Sequence, residues 1–386
     1  MKYLKITLVM LFAWAFNTTY LSAQWLNDAS GKKTAVSIVN KAIDAMVNLE
    51  YGRAQGLAMA ALEIDPNTTS AKIVMAWTSG DALWEGYQKE INAMKMTDSE
   101  RAWMDVISKP GAEHPAAAKA SGSAEPIITY MAAYESYEAL EAWTKANPTI
   151  AGPAINSLAY ADSQGQGPRG IKPPDGTDQE RAEQRFKEYI ALTDSPNADD
   201  SYAEFLASQG DFEGAFDSQL KAFQKLNFIS PYRRNLVIYW RKLNAASIEE
   251  AVTKRVEAFY NNMEALDEQV VDFLAQDLTI TEGMSNMQPW ISDNYDAAVQ
   301  RYQSQAEVMN WIAREAYDIE VALGPRGETA VVTFYMRGSY NTAQDETVVN
   351  YHTRASEVWI MQDGEWMLMH SNFAPYGGAA GLPEMN

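Results

Sequence analysis

The feature that most constrains this chain is the stretch 350–378, NYHTRASEVWIMQDGEWMLMHSNFAPYGG. Two runs of alternating character flank Asp363-Gly364. A two-residue hairpin turn needs positive φ at both central residues, which Asp-Gly tolerates well, so the stretch predicts a β-hairpin. Alternation places Trp366, Leu368, His370 and Asn372 on one face of the second strand, and Met367, Met369, Ser371 and Phe373 on the other. On the first strand His352, Arg354, Ser356 and Val358 share a face. If the hairpin closes strictly at its turn, Arg354 falls opposite Phe373, on the other face from His370. A one-residue bulge would bring Arg354 opposite Asn372 and onto the His370 face. The expectation is a strongly curved sheet with a partly polar pocket.

The run Arg354, Ser356, Val358-Trp359, Asp363-Gly364-Glu365-Trp366, His370, Asn372-Phe373 resembles the end of a SnoaL-like domain in the nuclear-transport-factor-two-like superfamily. It is also similar to the association domain of calcium/calmodulin-dependent kinases. Two positions depart from that pattern: Asn372 stands where the family often has a second His, and Ala374 where it has Ser. The resemblance implies a cone-shaped α+β domain of about 130 residues. It does not imply one activity, because the superfamily mixes enzymes with binding and assembly modules. SnoaL-type cyclases rely on an Asp near a His, and no Asp stands on the strands beside His370.

At 386 residues the chain has room for two or three domains. Residues 1–23 read as a signal peptide: Lys2 and Lys5 form the basic start, Leu8 to Phe16 the apolar core, and Leu21-Ser22-Ala23 a small-residue cleavage site before Gln24. The apolar run is too short for a membrane span, so the expectation is an exported protein, periplasmic or secreted, with no span once the leader is cleaved. There is no cysteine, which excludes disulfides, thiolate nucleophiles, Cys-type metal sites and a lipid-anchored start. The 51 acidic residues outnumber the 31 basic ones, which argues against binding nucleic acid or an anionic membrane surface. No Gly-rich phosphate loop, G-x-S-x-G elbow or metal motif appears, so no cofactor and no metal are expected.

From Lys33 to about Phe228 the pattern is paired helices with small residues at their crossings. Ala203, Gly210, Ala215 and Ala222 fall at spacings of seven, five and seven, with Gly210-Asp211 at the turn and Asn197 as candidate N-cap. Tyr202, Leu206, Phe212 and Phe216 would fill the interface. This unit resembles a tetratricopeptide repeat, as do Ala54, Ala58 and Ala61 before Asp65-Pro66-Asn67, and a degenerate pair beginning at Asn156-Ser157-Leu158-Ala159-Tyr160. Such units must stack to bury a face, and the resemblance implies a protein or peptide partner. Gly165–Asp178 reads as an inserted loop and Lys109–Pro126 as another, with His114 exposed on it. Trp77, Trp84, Trp103 and Trp143 read as packing residues, a minority of them lining a peptide groove.

The fold class expected is therefore multidomain: a signal peptide, an all-α tetratricopeptide-like repeat domain over 24–243, and an α+β SnoaL-like domain over 244–386. In the second domain a capping box at Ser247 and Glu250 opens a helix carrying Val252, Val256, Phe259 and Tyr260. Leu266–Leu274 reads as a short helix, Asp277–Glu282 as a strand and Asn294–Ile312 as a helix, before strands near 316–323, 329–340, 347–362 and 365–373. With the bulge, His352, Arg354, His370 and Asn372 form one concave cluster, joined by Tyr335, Glu282 and Trp290. Arg354 would hold a small acidic ligand bidentately, and His370 is the candidate acid or base. The plainer reading pairs Arg354 with Glu357 or Glu282 and leaves His370 as a satisfied core residue. The function expected is an exported non-catalytic binding or assembly protein, whose repeats bind a protein or peptide and whose C-terminal domain forms a homodimer or holds a small ligand. The alternative is an enzyme acting on a small organic acid or ketone in the C-terminal pocket. A filled pocket favours assembly and an open one favours chemistry.

Overall fold

A computed structural model describes residues 24–226, 230–261, 269–276, 280–285, 288–342 and 347–376. The expected leader, 1–23, lies outside the described residues. None of the helices described is long and apolar enough to cross a membrane. The chain divides between Leu236 and Val237 into two units.

The first unit is helical: α1 (Lys33–Val47), α2 (Tyr51–Ile64), α3 (Thr69–Thr78), α4 (Asp81–Asn92), α5 (Asp98–Ile107), α6 (His114–Ser121), α7 (Pro126–Ala133), α8 (Tyr137–Ala146), α9 (Gly152–Gln164), α10 (Gln179–Leu192), α11 (Pro196–Ser208) and α12 (Phe212–Lys225). Consecutive helices pack as pairs, most extensively α1 with α2, α9 with α10 and α11 with α12. The last pair shows why. Ser195 caps α11 by accepting from the Asn197 N–H, with Pro196 at the first helical position. Asn197 is thus inside the helix and not its cap. Gly210 takes φ +82°, a left-handed value that suits glycine, and Asp211 then caps α12 by accepting from Gly214 N–H at 2.9 Å. Ala203, Ala215 and Ala222 are fully buried. Phe205 and Phe186 form the aromatic core of this region, with Tyr202 and Leu206 packed against it.

One segment is more ordered than its composition predicts. The stretch 109–126 is not a loop: a 3-10 turn at Gly111–Glu113 leads into α6, with Pro115 in its first turn. His114 is correspondingly buried, its Nε2 2.8 Å from the Lys109 carbonyl, and burial pushes its pKa down. The segment that follows the expected leader is tied down as well. Trp25 is buried, its backbone N–H donating to Asn40 Oδ1 at 2.7 Å and its indole N–H to Asp44 at 3.0 Å. Its ring stacks on Trp143 with centroids 5.9 Å apart.

In the second unit, α13 (Ser230–Leu243) carries the division, and α14 (Ala245–Tyr260) follows with Asn244 at its N-cap. No side-chain cap bond forms there, so Ser247 and Glu250 lie within the helix and do not open it. Strands β1 (Ile280–Ser285) and β2 (Gln288–Ser292) precede α15 (Tyr295–Val308), and β3 (Met309–Leu323), β4 (Thr329–Thr342), β5 (Thr347–Gln362) and β6 (Glu365–Pro375) complete one sheet in the order β2-β1-β6-β5-β4-β3. Neighbours are antiparallel except β1 and β6, which run parallel. The helix expected to reach Ile312 stops at Val308. The short helix expected at Leu266–Leu274 falls partly outside the described residues, and its end is a 3-10 turn at Val270–Asp272 followed by Leu274 bridging Leu368. The core is the covered face of the sheet: Phe259 and Tyr260 of α14 and Tyr302 of α15 pack on Phe334, Trp359, Leu368 and Phe373.

Candidate functional site

The hairpin register decides which side chains meet. Asp363 and Gly364 take φ +52° and +91°, as the turn requires. From Gln362↔Glu365 to Trp359↔Leu368 the ladder is regular; the next pair is Val358↔His370, so Met369 is an extra residue in β6. Beyond the bulge Ser356 faces Asn372 and Arg354 faces Ala374. The bulge lies in the strand opposite to that expected, yet it has the same consequence: Arg354, Asn372 and His370 share a face.

That face is not the covered one. Along β5, Tyr351, Thr353, Ala355, Glu357 and Trp359 are buried, while Arg354 is exposed and His352 half-buried. The single concave cluster is therefore corrected in two respects. His352, Arg354, Tyr335, His370 and Asn372 sit on the face opposite the one that α14 and α15 cover. They are also spread along it, since His370 lies four residues up β6 from the partner of Arg354, about 13 Å at strand rise. Glu282 pairs with Asn372 and Trp290 with Gly283 in the backbone register, but their side chains lie outside the described residues.

What gathers near Arg354 is aromatic. Tyr335 lies directly across the ladder from it, 38% exposed. Tyr335 stacks with Tyr317 at 5.8 Å between centroids and meets Tyr376 edge-on at 5.5 Å. Tyr376 also meets the His352 ring at 5.9 Å, and its hydroxyl lies 2.9 Å from that of Tyr317. Arg337, paired with Glu315 at 2.7 Å, lies over the Tyr317 ring. Val331, 51% exposed, extends this surface along β4.

The covered face holds a buried acid and a buried arginine, each bonded within the unit. Glu357, 1% exposed, accepts from the Tyr260 hydroxyl and, at 2.7 Å, from the Trp359 indole N–H. Burial raises its pKa to about 8, against the lowering effect of those two donors. The buried Arg314 donates to the Tyr260 and Phe259 carbonyls, and burial lowers its pKa to about 10. Arg354 does not pair with Glu357, because strand alternation turns them to opposite faces.

The helical unit carries a separate concavity of about 390 Å³; of its lining, the sequence singles out Trp77, and Asn156, Ser157, Tyr160 and Asn197 only as parts of helix pairs. Tyr130, Tyr134 and Trp77 line one part of it, Asp200 and Glu204 of α11 another, and Arg169 of the inserted loop its edge. The Tyr134 hydroxyl lies 2.6 Å from Ser157 Oγ and 2.8 Å from the Tyr130 hydroxyl. Tyr160 donates to Glu204 at 2.6 Å, and Gln219 donates to Asp200 at 2.8 Å. Burial, with Glu204 adding to it, raises the Asp200 pKa to about 6. Trp103 and Trp143 are core residues, as expected of most of the tryptophans. The one available signal for this site was the i, i+4 pair of acids on α11. Its other members come from distant segments that no local pattern connects.

No family model matches the chain, and no curated protein sequence is similar to it. Solved structures do resemble its C-terminal region. An uncharacterized protein with a cystatin-like fold from Caulobacter vibrioides is 14% identical with a TM-score of 0.26, covering 33% of this chain and 89% of its own. An NTF2-like protein of unknown function from Prochlorococcus marinus is 11% identical with a TM-score of 0.27, covering 33% and 93%. An NTF2-like protein from Cytophaga hutchinsonii is 13% identical with a TM-score of 0.25, covering 35% and 98%.

Proposed function

We propose that this chain is an exported, non-catalytic binding and assembly protein: its helical unit holds a protein or peptide partner, and its C-terminal unit pairs with a second copy through the uncovered sheet face. The observation that carries this reading is the division of labour between the two faces. On the covered side, Glu357, Tyr260, Trp359 and Arg314 bond to one another or to the backbone amid packed aromatics. On the uncovered side, Tyr317, Tyr335, Tyr376 and His352 form a contiguous aromatic patch. Tyrosine and arginine are the residues enriched at interface centres. In a chain of net charge −20, a patch bearing Arg354 and Arg337 is also where a second copy meets least repulsion. The enzyme alternative needs an open cavity with His370 and a carboxylate within hydrogen-bond reach, and the buried Glu357 is not that carboxylate. The register pairs His370 with Val358 and Glu357 with Ser371, which turns them to opposite faces.

The finer assignments belong to this proposal. The Gly210 turn with its buried alanines supports a tetratricopeptide-like reading of α11 and α12, and the bulged final hairpin supports a SnoaL-like reading of the second unit. Sedimentation velocity tests the assembly half. The wild-type chain is expected to form dimers as concentration rises, and Tyr335→Glu to stay monomeric with an unchanged circular dichroism spectrum. A wild-type chain that stays monomeric at high concentration would overturn it.

A further inference from the structure

We propose that the concavity of the helical unit binds a lysine or arginine side chain presented by an extended peptide. This rests on the reading that the helical unit holds a protein or peptide partner, and adds the chemistry it recognises.

The argument is one of unmatched chemistry. At about 390 Å³ the cavity takes one long side chain and part of its flanking backbone. Apart from the Arg169 guanidinium, which rests on the Tyr134 ring, these donors of the lining are spent: the Tyr160 hydroxyl on Glu204, the Tyr134 hydroxyl in the Tyr130–Ser157 chain, and the Asn197 amide on the Tyr189 hydroxyl at 3.2 Å. What the α9 and α11 side of the site adds is acceptors. Asn156 Oδ1 is buried with no hydrogen-bond partner among the described residues, and Asp200 and Glu204 stand one helical turn apart on α11 with open carboxylate capacity. An ammonium or guanidinium group has donors and no acceptor, so it fits that side of the site, whereas an acidic group there would meet two carboxylates. Two like charges held together in a partly buried site also gain most from a cation between them.

The apolar part of the site suits the stem of such a side chain, since Tyr and Trp faces attract cations and pack against methylenes. The chain itself supplies an example: the Arg169 guanidinium rests 4.7 Å from the Tyr134 ring centroid. It does so from a backbone at φ +57°, left-handed for a non-glycine residue. Leu49, at φ +63°, is the second left-handed residue on the rim, and it stands 58% exposed beside Tyr51 at 43%. Two exposed apolar side chains at the mouth favour a peptide with apolar residues flanking its cation over a free amine. The net charge of −20 steers such a segment toward the chain.

Isothermal titration of the full chain with three peptides, acetyl-Ala-Leu-X-Leu-Ala-amide with X as lysine, norleucine or glutamate, tests this. The lysine peptide is expected to bind at least tenfold more tightly than the other two. Asp200→Asn with Glu204→Gln should erase that preference while leaving the helical circular dichroism intact. Glu204→Gln alone, at an exposed position, should weaken it in the same direction if the double variant misfolds. Equal binding of lysine and norleucine peptides, a preference for glutamate, no binding at millimolar peptide, or an undiminished preference in the variants would each overturn the proposal. If the immobilised full chain retains a protein partner yet discriminates among none of the peptides, the cation site alone falls. If it retains neither, the binding reading falls with it.

Discussion

Glu357 and Trp359, two residues apart on β5, point to the same covered face and join there, the indole N–H donating to the carboxyl at 2.7 Å. This is an acid held inside an aromatic core by two donors, with its proton retained to about pH 8. The folded pKa therefore lies above the unfolded one. Through the interval between the ordinary glutamate range and about 8, the folded chain keeps a proton that the unfolded chain has lost. Stability from this group is complete below that interval and declines as pH rises through it. The wild-type melting temperature should fall by several degrees between pH 5 and 8. Glu357→Gln, a neutral isostere that can still meet Tyr260 and Trp359, should flatten that decline. Equal slopes in the two proteins would show that the carboxyl is ionised in the fold.

Asp162 is the corresponding knot in the helical unit. It is fully buried and receives the Tyr137 hydroxyl at 2.7 Å, with Arg181 Nη2 at 2.9 Å and Arg185 Nε at 3.0 Å. Removing one member of a buried ion network strands the others. Asp162→Ala should cost ~3 kcal/mol, the low end for such a loss, because Arg181 keeps Asp175 and Arg185 keeps Glu141. Chemical denaturation measures this. Asp175→Ala, at the exposed end of the same network, should leave the denaturation midpoint almost unmoved.

Ala215 is fully buried in the α11–α12 pair. Ala215→Leu should overpack that pair and cost ~1–3 kcal/mol. A thermal melt without loss would mean that the two helices do not need a small residue there, and the repeat-like reading of this pair would go with it.

Export gives a prediction that needs no purified activity. The basic start, short apolar core and Ala23 site predict a native chain beginning at Gln24, just before the buried Trp25. Mass spectrometry of the N-terminus from a cell fraction outside the cytoplasm should find Gln24 first. An intact Met1 in the cytosol would refute it.

For the sheet face, Arg354→Ala should weaken self-association without disturbing the core, since the side chain is exposed and lies beside Tyr335. Sedimentation equilibrium should show a weaker dimer at unchanged melting temperature. A large drop in melting temperature would assign Arg354 a structural role instead.

Local chemistry was enough to read much of this chain. Asp363-Gly364 determined a hairpin because few other dipeptides take two positive φ angles, and the spacing of Ala203, Gly210 and Ala215 determined a tight helix pair because only small residues permit close approach. The helical N-terminal region and the strand-rich end follow from periodicity alone. Tertiary structure decided the rest. Alternation tells which residues share a face, but not which face the helices α14 and α15 will cover. His352, Arg354 and Tyr335 were therefore legible as neighbours and illegible as surface. The bulge at Met369 reversed one strand's facing without any local mark in the sequence. The cavity of the helical unit was the least legible: Tyr134, Asn156, Arg169 and Asp200 come from separate segments, and only the packing of those segments brings aromatic rings and acids to one site.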